Sequence, residues 1–321
     1  ILMDEFALIN NYFKKISSNN NSAKNLNDDV FFDNKKGLVL SIDTYNEGIH
    51  FPNFKNPELV IKKIIRSSIS DLLAKGVKPK YYFISGSGNK KCFTKINLSK
   101  IVKSLSEEQK KYGIKLSGGD TTNSNKVSFS ITTLGFAKDI IERNKARLND
   151  DIYVTGNIGD SNFGLKILLR KIKVNSKLKN YFLNKFYCPD LPYKTYKYLH
   201  KFANTSMDIS DGLISDMEKL INEQTLSFEL DVNKIPISKN LNFCLKKYKI
   251  NKNDCLFNGD DYQILFTASK NKRSLIKSIG KRVNQKFTII GKINNRFEKS
   301  TLKLNNKPLN LNKFKGYSHK F

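Results

Sequence analysis

The side chains that could do chemistry in this sequence are its carboxylates, because they are few and are placed alike. Against 57 Lys plus Arg there are only 29 Asp plus Glu. Yet carboxylates recur beside small or polar residues just after apolar stretches: Asp28-Asp29, Asp43-Thr44, Ser70-Asp71, Gly118-Gly119-Asp120-Thr121-Thr122, Asp208-Ile209-Ser210-Asp211-Gly212 and Gly259-Asp260-Asp261. Strand ends in α/β proteins are where ligands bind, so these groups are expected to converge. Several converging carboxylates stay ionised only if a multivalent cation offsets their repulsion. Oxygen donors without His or Cys beside them select Mg²⁺, which binds a few carboxylates together with waters and substrate phosphates. Each group also has an ordinary reading: Asp28-Asp29 and Gly118-Gly119 as turns, Ser210-Asp211-Gly212 as a helix cap, Asp260-Asp261 as a solvated loop, His50 as a surface or core histidine. Their joint pattern points instead to a metal-assisted phosphate site.

The elements that must position these groups form two series. Phe6, Ile9 and Phe13 stand at helical spacing, and Ser17 to Asn27 reads as a loop. Gly37 to Thr44 predicts a strand ending in Asp43. Leu59 to Ala74 predicts a helix, stopped by Lys75-Gly76-Val77-Lys78-Pro79. Lys80 to Ser85 predicts a strand, Leu98 to Tyr112 a helix, Ile114 to Ser117 a strand running into Gly118-Gly119-Asp120, and Val127 to Ala137 a strand. After the charged stretch Lys138 to Asp151 the series resumes. Asp151 to Gly156 leads into Gly159-Asp160-Ser161-Asn162 and a helix, Ser206 to Leu213 reads as strand, turn and helix start, and Phe228 to Val232, Ile264 to Thr267 and Phe287 to Gly291 read as strands. The pattern is mixed α/β in two halves, divided near residue 140. No P-loop and no G-x-G-x-x-G opening a helix is present, and Ile84-Ser85-Gly86-Ser87-Gly88 reads as a flexible turn. The protein-kinase motifs are absent as well.

Composition bounds the class. The 321 residues, 39% hydrophobic and 11% aromatic, allow two domains with real cores and exclude intrinsic disorder. No apolar run is long enough to span a bilayer, and Ile1-Leu2-Met3-Asp4-Glu5 does not open a signal peptide, so a cytoplasmic protein with no membrane partner is expected. Cys92, Cys188, Cys244 and Cys255 fall singly and are expected as free thiols. The net charge of +28 comes mostly from dispersed Lys with abundant Asn, Ile and Phe. That distribution reflects A/T-rich codon usage rather than a specific nucleic-acid surface, which would cluster its cations on one element.

Taken in order and spacing, the motifs resemble those of the thiamine-monophosphate kinases along nearly the whole chain. The matching residues are Glu5-Phe6, Asp28-Asp29, Asp43-Thr44 with Glu47-Gly48-Ile49-His50-Phe51, Ser70-Asp71 with Ala74-Lys75-Gly76, the Gly118 to Thr122 run, Tyr153-Val154-Thr155-Gly156 with Gly159-Asp160-Ser161, Asp208 to Leu213, Gly259-Asp260-Asp261-Tyr262 and Lys315-Gly316-Tyr317. The resemblance implies a two-domain PurM-like α/β fold, shared with aminoimidazole-ribonucleotide synthetase. It implies an amino-terminal ATP/Mg-binding and dimerisation domain over 1–138 and a carboxyl-terminal domain over 139–321. It further implies a homodimer that joins its amino-terminal sheets, with the nucleotide at the interface.

Carried over residue by residue, the resemblance implies metal ligands at Asp29, Asp43, Asp71, Asp120, Asp208 and Asp211. Nucleotide contacts fall at Ser41, Gly118, Gly119, Arg143 and Ser210, and substrate contacts at His50, Asp260 and Phe314. Several positions depart from the family pattern. Asn27 stands for its glycine, Ile42 for its threonine, Ser68-Ile69-Ser70-Asp71 for its N-L-S-D, Asn258-Gly259-Asp260-Asp261 for its G-G-E-D, and Phe314 for its tryptophan. The implied activity is Mg-dependent transfer of the ATP γ-phosphoryl group to thiamine monophosphate. No residue is poised as a general base, and a phosphate-monoester acceptor, mostly ionised at neutral pH, needs none. Metals and Arg143 would offset the charge of two anions brought into line, and Phe314 would cover the thiazolium cation. Among enzymes of the same fold, the hydrogenase-maturation dehydratases call for a carboxyl-terminal cysteine, whereas this sequence closes Tyr317-Ser318-His319-Lys320-Phe321. Selenophosphate synthetases call for an early reactive cysteine, and the first here is Cys92. A basic nucleic-acid binder would leave the acidic series unexplained.

Overall fold

The Pro57–Ala74 helix organises the amino-terminal half. Pro57 sits in its first turn, where a missing N–H costs nothing. Val60, Ile61, Ile64, Ile65, Ile69, Leu72 and Leu73 are all buried along it. It ends where Gly76 takes φ +77 and the Val77 N–H reaches back to the Leu72 carbonyl at 2.8 Å, a left-handed stop that glycine supplies without strain. Ser67, Ser68 and Ser70 on the same helix are buried too, because the helix is covered both by a sheet of its own half and by elements of the other half. Side chains on it can therefore reach the junction. The computed structural model describes residues 4–311, 314 and 316–319, so Lys315 of the expected Lys315-Gly316-Tyr317 motif lies outside the described residues.

Five strands form the first sheet: β1 (Phe31–Asp33), β2 (Leu38–Asn46), β3 (Pro79–Gly88), β4 (Lys115–Asn123) and β5 (Ser128–Phe136), in the order β1-β2-β5-β3-β4. Only β3 and β4 run parallel, joined by the Lys95–Tyr112 helix as crossover. Val39, Tyr45, Tyr82, Phe129 and Ile131 face the helices. The opposite face carries Ile42 at 66% exposure, Phe136 at 52%, Leu116 at 45% and Phe83 at 39%. The segment Ile84 to Gly88, expected as a flexible turn, lies within β3, paired with β5 on one side and β4 on the other. Its glycines serve packing: a Cβ on Gly86 would stand 3.1 Å from the Phe129 ring. Likewise β4 does not stop before Gly118-Gly119-Asp120 but runs through them.

The second sheet has seven strands: β6 (Asp151–Thr155), β7 (Thr205–Asp208), β8 (Leu226–Asp231), β9 (Ile264–Ala268), β10 (Phe287–Asn295), β11 (Thr301–Leu304) and β12 (Lys307–Leu309). Their order is β12-β11-β8-β10-β6-β9-β7, mostly antiparallel, with β11 parallel to β8. It is buried on both faces. One packs Leu213, Met217 and Leu220 of the Leu213–Leu220 helix, and the other packs Ile276, Ile279 and Val283 of the Arg273–Val283 helix. The fold is thus mixed α/β with two sheets, as the strand and helix patterns predict. The Phe6, Ile9 and Phe13 face is not core: the Ile9–Phe13 turn is π-helical, and no residue from Glu5 to Ile16 is buried. The cysteines are free thiols.

Candidate active site

Asp43 near the end of β2, Asp71 in the last turn of the Pro57–Ala74 helix and Asp208 at the end of β7 meet at the junction of the two halves. Burial pushes the Asp43 carboxyl up to about 6 and Asp208 up to about 7, and raises Asp71 well above the usual range. The negative charges of Asp43 and Asp208 push Asp71 further, while the Ser41 hydroxyl donating to Asp71 opposes the shift. Asp43 Oδ2 is buried with no hydrogen-bond partner. Lys75 and Arg143 offset the charges of Asp71 and Asp208 only in part, and among the described residues none of the three carboxylates forms an ion pair, the condition that a cation would relieve.

The other expected metal ligands are held differently. Lys75, fully buried, puts its ammonium 2.7 Å from Asp28 Oδ1 and 2.7 Å from Asp29 Oδ2, and Arg143 engages Asp29 Oδ1. Lys219 engages Asp211 and stands 3.0 Å from Asp216 Oδ1. Asp120 lies on the exposed edge strand β4 beside Ser85 of β3. Three strand steps separate it from Asp43, about 14 Å at normal strand spacing. Accordingly, among the described residues no three His, Cys, Asp or Glu side chains close into a metal-binding group. Lysine and arginine partners hold Asp29 and Asp211 away and the width of the sheet holds Asp120 away, while Asp43, Asp71 and Asp208 by themselves do not close into such a group.

A cavity of about 810 Å³ opens from this carboxylate cluster. Asp43, Asp71, Asp208, Ser210 and Asp211 line one part of it, and His50, Asp260, Tyr262, Tyr317 and His319 another. Two loops are zipped together beneath it. The Asp260 N–H donates to the Ser210 carbonyl and the Tyr262 N–H to the Ile209 carbonyl, each at 2.8 Å. Only glycine fits at 259, where a Cβ would lie 1.7 Å from the Ser210 oxygen. Asp216 fixes the first loop through one oxygen, which accepts the N–H groups of Ser210, Asp211 and Gly212 at 3.0 Å each. This replaces the helix cap that Ser210-Asp211-Gly212 suggests.

Asp260 is held from behind. Its Oδ1 accepts from Lys63 Nζ at 2.7 Å and from the Tyr262 hydroxyl at 3.0 Å. Lys63 is buried, with its ammonium 4.0 Å from the Phe186 ring centre. His50 Nδ1 accepts the Asn46 N–H at 3.0 Å, so the proton of the neutral ring resides on Nε2. Burial, with the neighbouring His319 and Lys63 charges, lowers His50 to about 4 against the opposing pull of Asp260, so the ring is neutral at pH 7.

Two expected site features sit elsewhere. The glycine pair Gly118-Gly119 is on β4, and a Cβ on Gly119 would lie 1.8 Å from the Ile84 oxygen, so strand packing alone demands that glycine. Phe314 packs its ring 4.7 Å from that of Phe257, against the core of the second sheet, and does not line the cavity; the aromatic side chain lining it from that end of the chain is Tyr317. Sequence reasoning also passed over Lys63, Lys75, Asn162, Asp216 and Lys219. Asn162, in the first turn of the Asp160–Leu168 helix, lines the cavity and leaves its Oδ1 without a partner. Its only signal was the strand-to-helix turn at Gly159-Asp160-Ser161. Lys75 entered only through a helix stop and a motif match, with no site role attached, and Lys63 and Lys219 gave no signal in a chain with so many lysines.

The two-sheet mixed α/β fold, with carboxylates lining a cavity between its halves, is of the aminoimidazole-ribonucleotide synthetase-like class. The family model for the AIR synthase related protein, N-terminal domain, matches residues 27–137. Thiamine-monophosphate kinase of Buchnera aphidicola from Acyrthosiphon pisum is 34% identical over 98% of both chains. That of Haemophilus influenzae is 32% identical over 99% of this chain and 98% of its own. Among solved structures, AaThiL complexed with AMPPCP and TMP superposes with a TM-score of 0.84 at 29% identity, covering 98% of this chain and 97% of that one. A chain of a HypE-HypF complex superposes with a TM-score of 0.72 at 16% identity, which bears on the fold alone. The chain belongs to the thiamine-monophosphate kinase family, whose members are phosphotransferases.

Proposed function

We propose that this chain transfers the γ-phosphoryl group of ATP to the phosphate of thiamine monophosphate, giving thiamine diphosphate and ADP, by direct in-line transfer without a general base. The observation that carries this reading is a cavity lined at once by buried, mutually repelling carboxylates, a neutral histidine and a fixed carboxylate. Mg²⁺ fits the first group: the donors are all oxygen, they repel one another, and one buried oxygen lacks a partner. Asp43, Asp71, Asp208 and Asp211 would hold it, and when bound it supplies charge that brings two phosphate anions together and stabilises the transfer. Asp29, engaged by two cations, is left out of this set. His50 cannot serve as a base, because its Nδ1 is occupied and its Nε2 already carries the proton; it donates instead. Asp260, with Oδ1 doubly engaged, has Oδ2 left to accept from the aminopyrimidine or to attract the thiazolium. Tyr317 takes the aromatic place expected of Phe314.

The same reading divides the chain at residues 1–138 and 139–321 and makes the protein a cytoplasmic homodimer. The open apolar face of the first sheet, with Ile42, Phe83, Leu116 and Phe136 exposed, is the surface two copies would share. Joining them would bring the Gly118-Gly119-Asp120 edge of one copy toward Asp43 of the other, completing a nucleotide site with Ser41, Arg143 and Ser210. The dispersed lysines would give only weak, salt-sensitive binding to duplex DNA. The deciding experiment incubates the protein with Mg-ATP and either thiamine monophosphate or free thiamine, then separates the products. Thiamine diphosphate from the monophosphate alone is expected; diphosphate formed from free thiamine, or none from the monophosphate, refutes the reading.

A further inference from the structure

Lys75 stands at the end of the Pro57–Ala74 helix with no solvent exposure. Its ammonium donates to the Ser206 carbonyl of β7 at 2.8 Å and forms ion pairs with Asp28 Oδ1 and Asp29 Oδ2 at 2.7 Å each. The second Asp29 oxygen belongs to Arg143, whose backbone N–H also donates to Asp28 Oδ2 at 3.0 Å. Two carboxylates thus face two cations, and the group is neutral as a unit. A divalent ion entering there would compete with Lys75 for Asp29. The displaced ammonium would keep only one carbonyl in a fully enclosed place, and a buried charge stripped of its partners is among the costliest changes a protein can suffer. The contrast with Asp43, Asp71 and Asp208 is one of ion pairing: among the described residues no Lys or Arg nitrogen stands in salt-bridge range of any of the three, and the charges of Asp43 and Asp208 act on Asp71, whereas Asp29 has a cation against each of its oxygens.

We propose that Lys75 is a fixed counter-ion that takes the place of a divalent cation beside Asp28 and Asp29, so that metal is drawn to Asp43, Asp71, Asp208 and Asp211 and not to Asp29. This rests on the phosphotransferase reading and narrows it to one set of ligands. The ammonium cannot diffuse away, so Asp29 stays neutralised and Arg143 stays oriented at any metal concentration.

The test counts bound Mn²⁺ by electron paramagnetic resonance with a non-hydrolysable ATP analogue present, in the unaltered protein, Asp29→Asn and Lys75→Met. Asp29→Asn is expected to bind as many ions as the unaltered protein. Lys75→Met is expected to bind one more, and to gain more in melting temperature between chelator and Mn²⁺ than the unaltered protein does. Loss of an ion in Asp29→Asn, or an unchanged count in Lys75→Met, overturns the inference. If Lys75→Met does not fold, Asp29→Asn alone decides. Turnover of ATP and thiamine monophosphate by the unaltered protein is measured alongside. An ion lost in Asp29→Asn while turnover is intact sinks this inference only, whereas unaltered protein that binds no Mn²⁺ and turns nothing over sinks the functional reading with it.

Discussion

Replacing Lys63 by Met removes the ammonium that holds Asp260 while keeping most of the side-chain volume. The pair is 2.7 Å apart, with the Lys63 side chain 1% exposed and that of Asp260 28% exposed. At an effective dielectric of about 20, the gross attraction at that distance is about 6 kcal/mol. Most of it offsets the desolvation of the ammonium, so the net coupling expected from a double-mutant cycle is about 1.5–3 kcal/mol. Lys63→Met alone should cost about 2–4 kcal/mol, because it leaves Asp260 with only the Tyr262 hydroxyl. Asp260→Asn alone leaves the ammonium on the Phe186 carbonyl at 3.4 Å and the Phe186 ring. The double variant should lose less than the sum of the two. Urea unfolding of the four proteins at pH 7 gives the coupling, and steady-state rates give its functional counterpart. If Lys63 aims Asp260 at substrate, Lys63→Met raises KM for thiamine monophosphate tenfold or more with a smaller change in kcat. A coupling below about 0.5 kcal/mol, or a collapse of kcat at constant KM, would refute the argument.

Asp43→Asn and Asp71→Asn are each expected to lower kcat by a hundredfold or more while leaving the circular dichroism spectrum unchanged; near-full activity in both at saturating Mg²⁺ removes the metal assignment. Mixing Asp43→Asn with Asp120→Asn should restore about a quarter of the unaltered activity, since random exchange makes half the dimers mixed, each with one intact composite site. No restoration after verified exchange would place both carboxylates in one chain's site. His50 titrates at about 4 in the folded protein against about 6.5 unfolded. Between those values the unfolded chain holds the extra proton, so the contribution of His50 is full above pH 6.5 and is lost as pH falls toward 4. Discounted for a partly open ring, that is about 1–2 kcal/mol. His50→Gln should therefore lose less stability than the unaltered protein between pH 6.5 and 4 in urea titrations, and parallel curves would contradict the assignment.

What was legible in the sequence was whatever local chemistry dictates. The Pro57–Ala74 helix announced itself from Leu59 onward by apolar spacing and by the stop at Gly76 and Pro79, and Asp43, Asp71 and Asp208 by standing at the ends of apolar runs. Ile84 to Gly88 was misread because a glycine-rich run signals flexibility only when nothing flanks it; here strands lie on both sides, and the missing side chains admit the Phe129 ring. Phe314 illustrates the opposite case, since in this structure it does not line the cavity. Its chemistry suited a cation-covering role, but its ring fills space beside Phe257, and no pattern within the chain reveals which of two nearby aromatics turns outward.

The cations show most clearly where one-dimensional reading stops. An uncompensated carboxylate can be suspected from sequence, because acidic residues are scarce here and their settings repeat. Its compensation cannot, because Lys63 meets Asp260 across 197 positions, and Arg143 meets Asp29 across 114. Both pairings depend on how the second sheet seats against the Pro57–Ala74 helix. Which carboxylates are left to bind metal is therefore a property of the packed junction, set by the four buried or half-buried cations that reach it, Lys63, Lys75, Arg143 and Lys219. Two members of the family with the same aspartates could differ in metal number through the residue at position 75 alone.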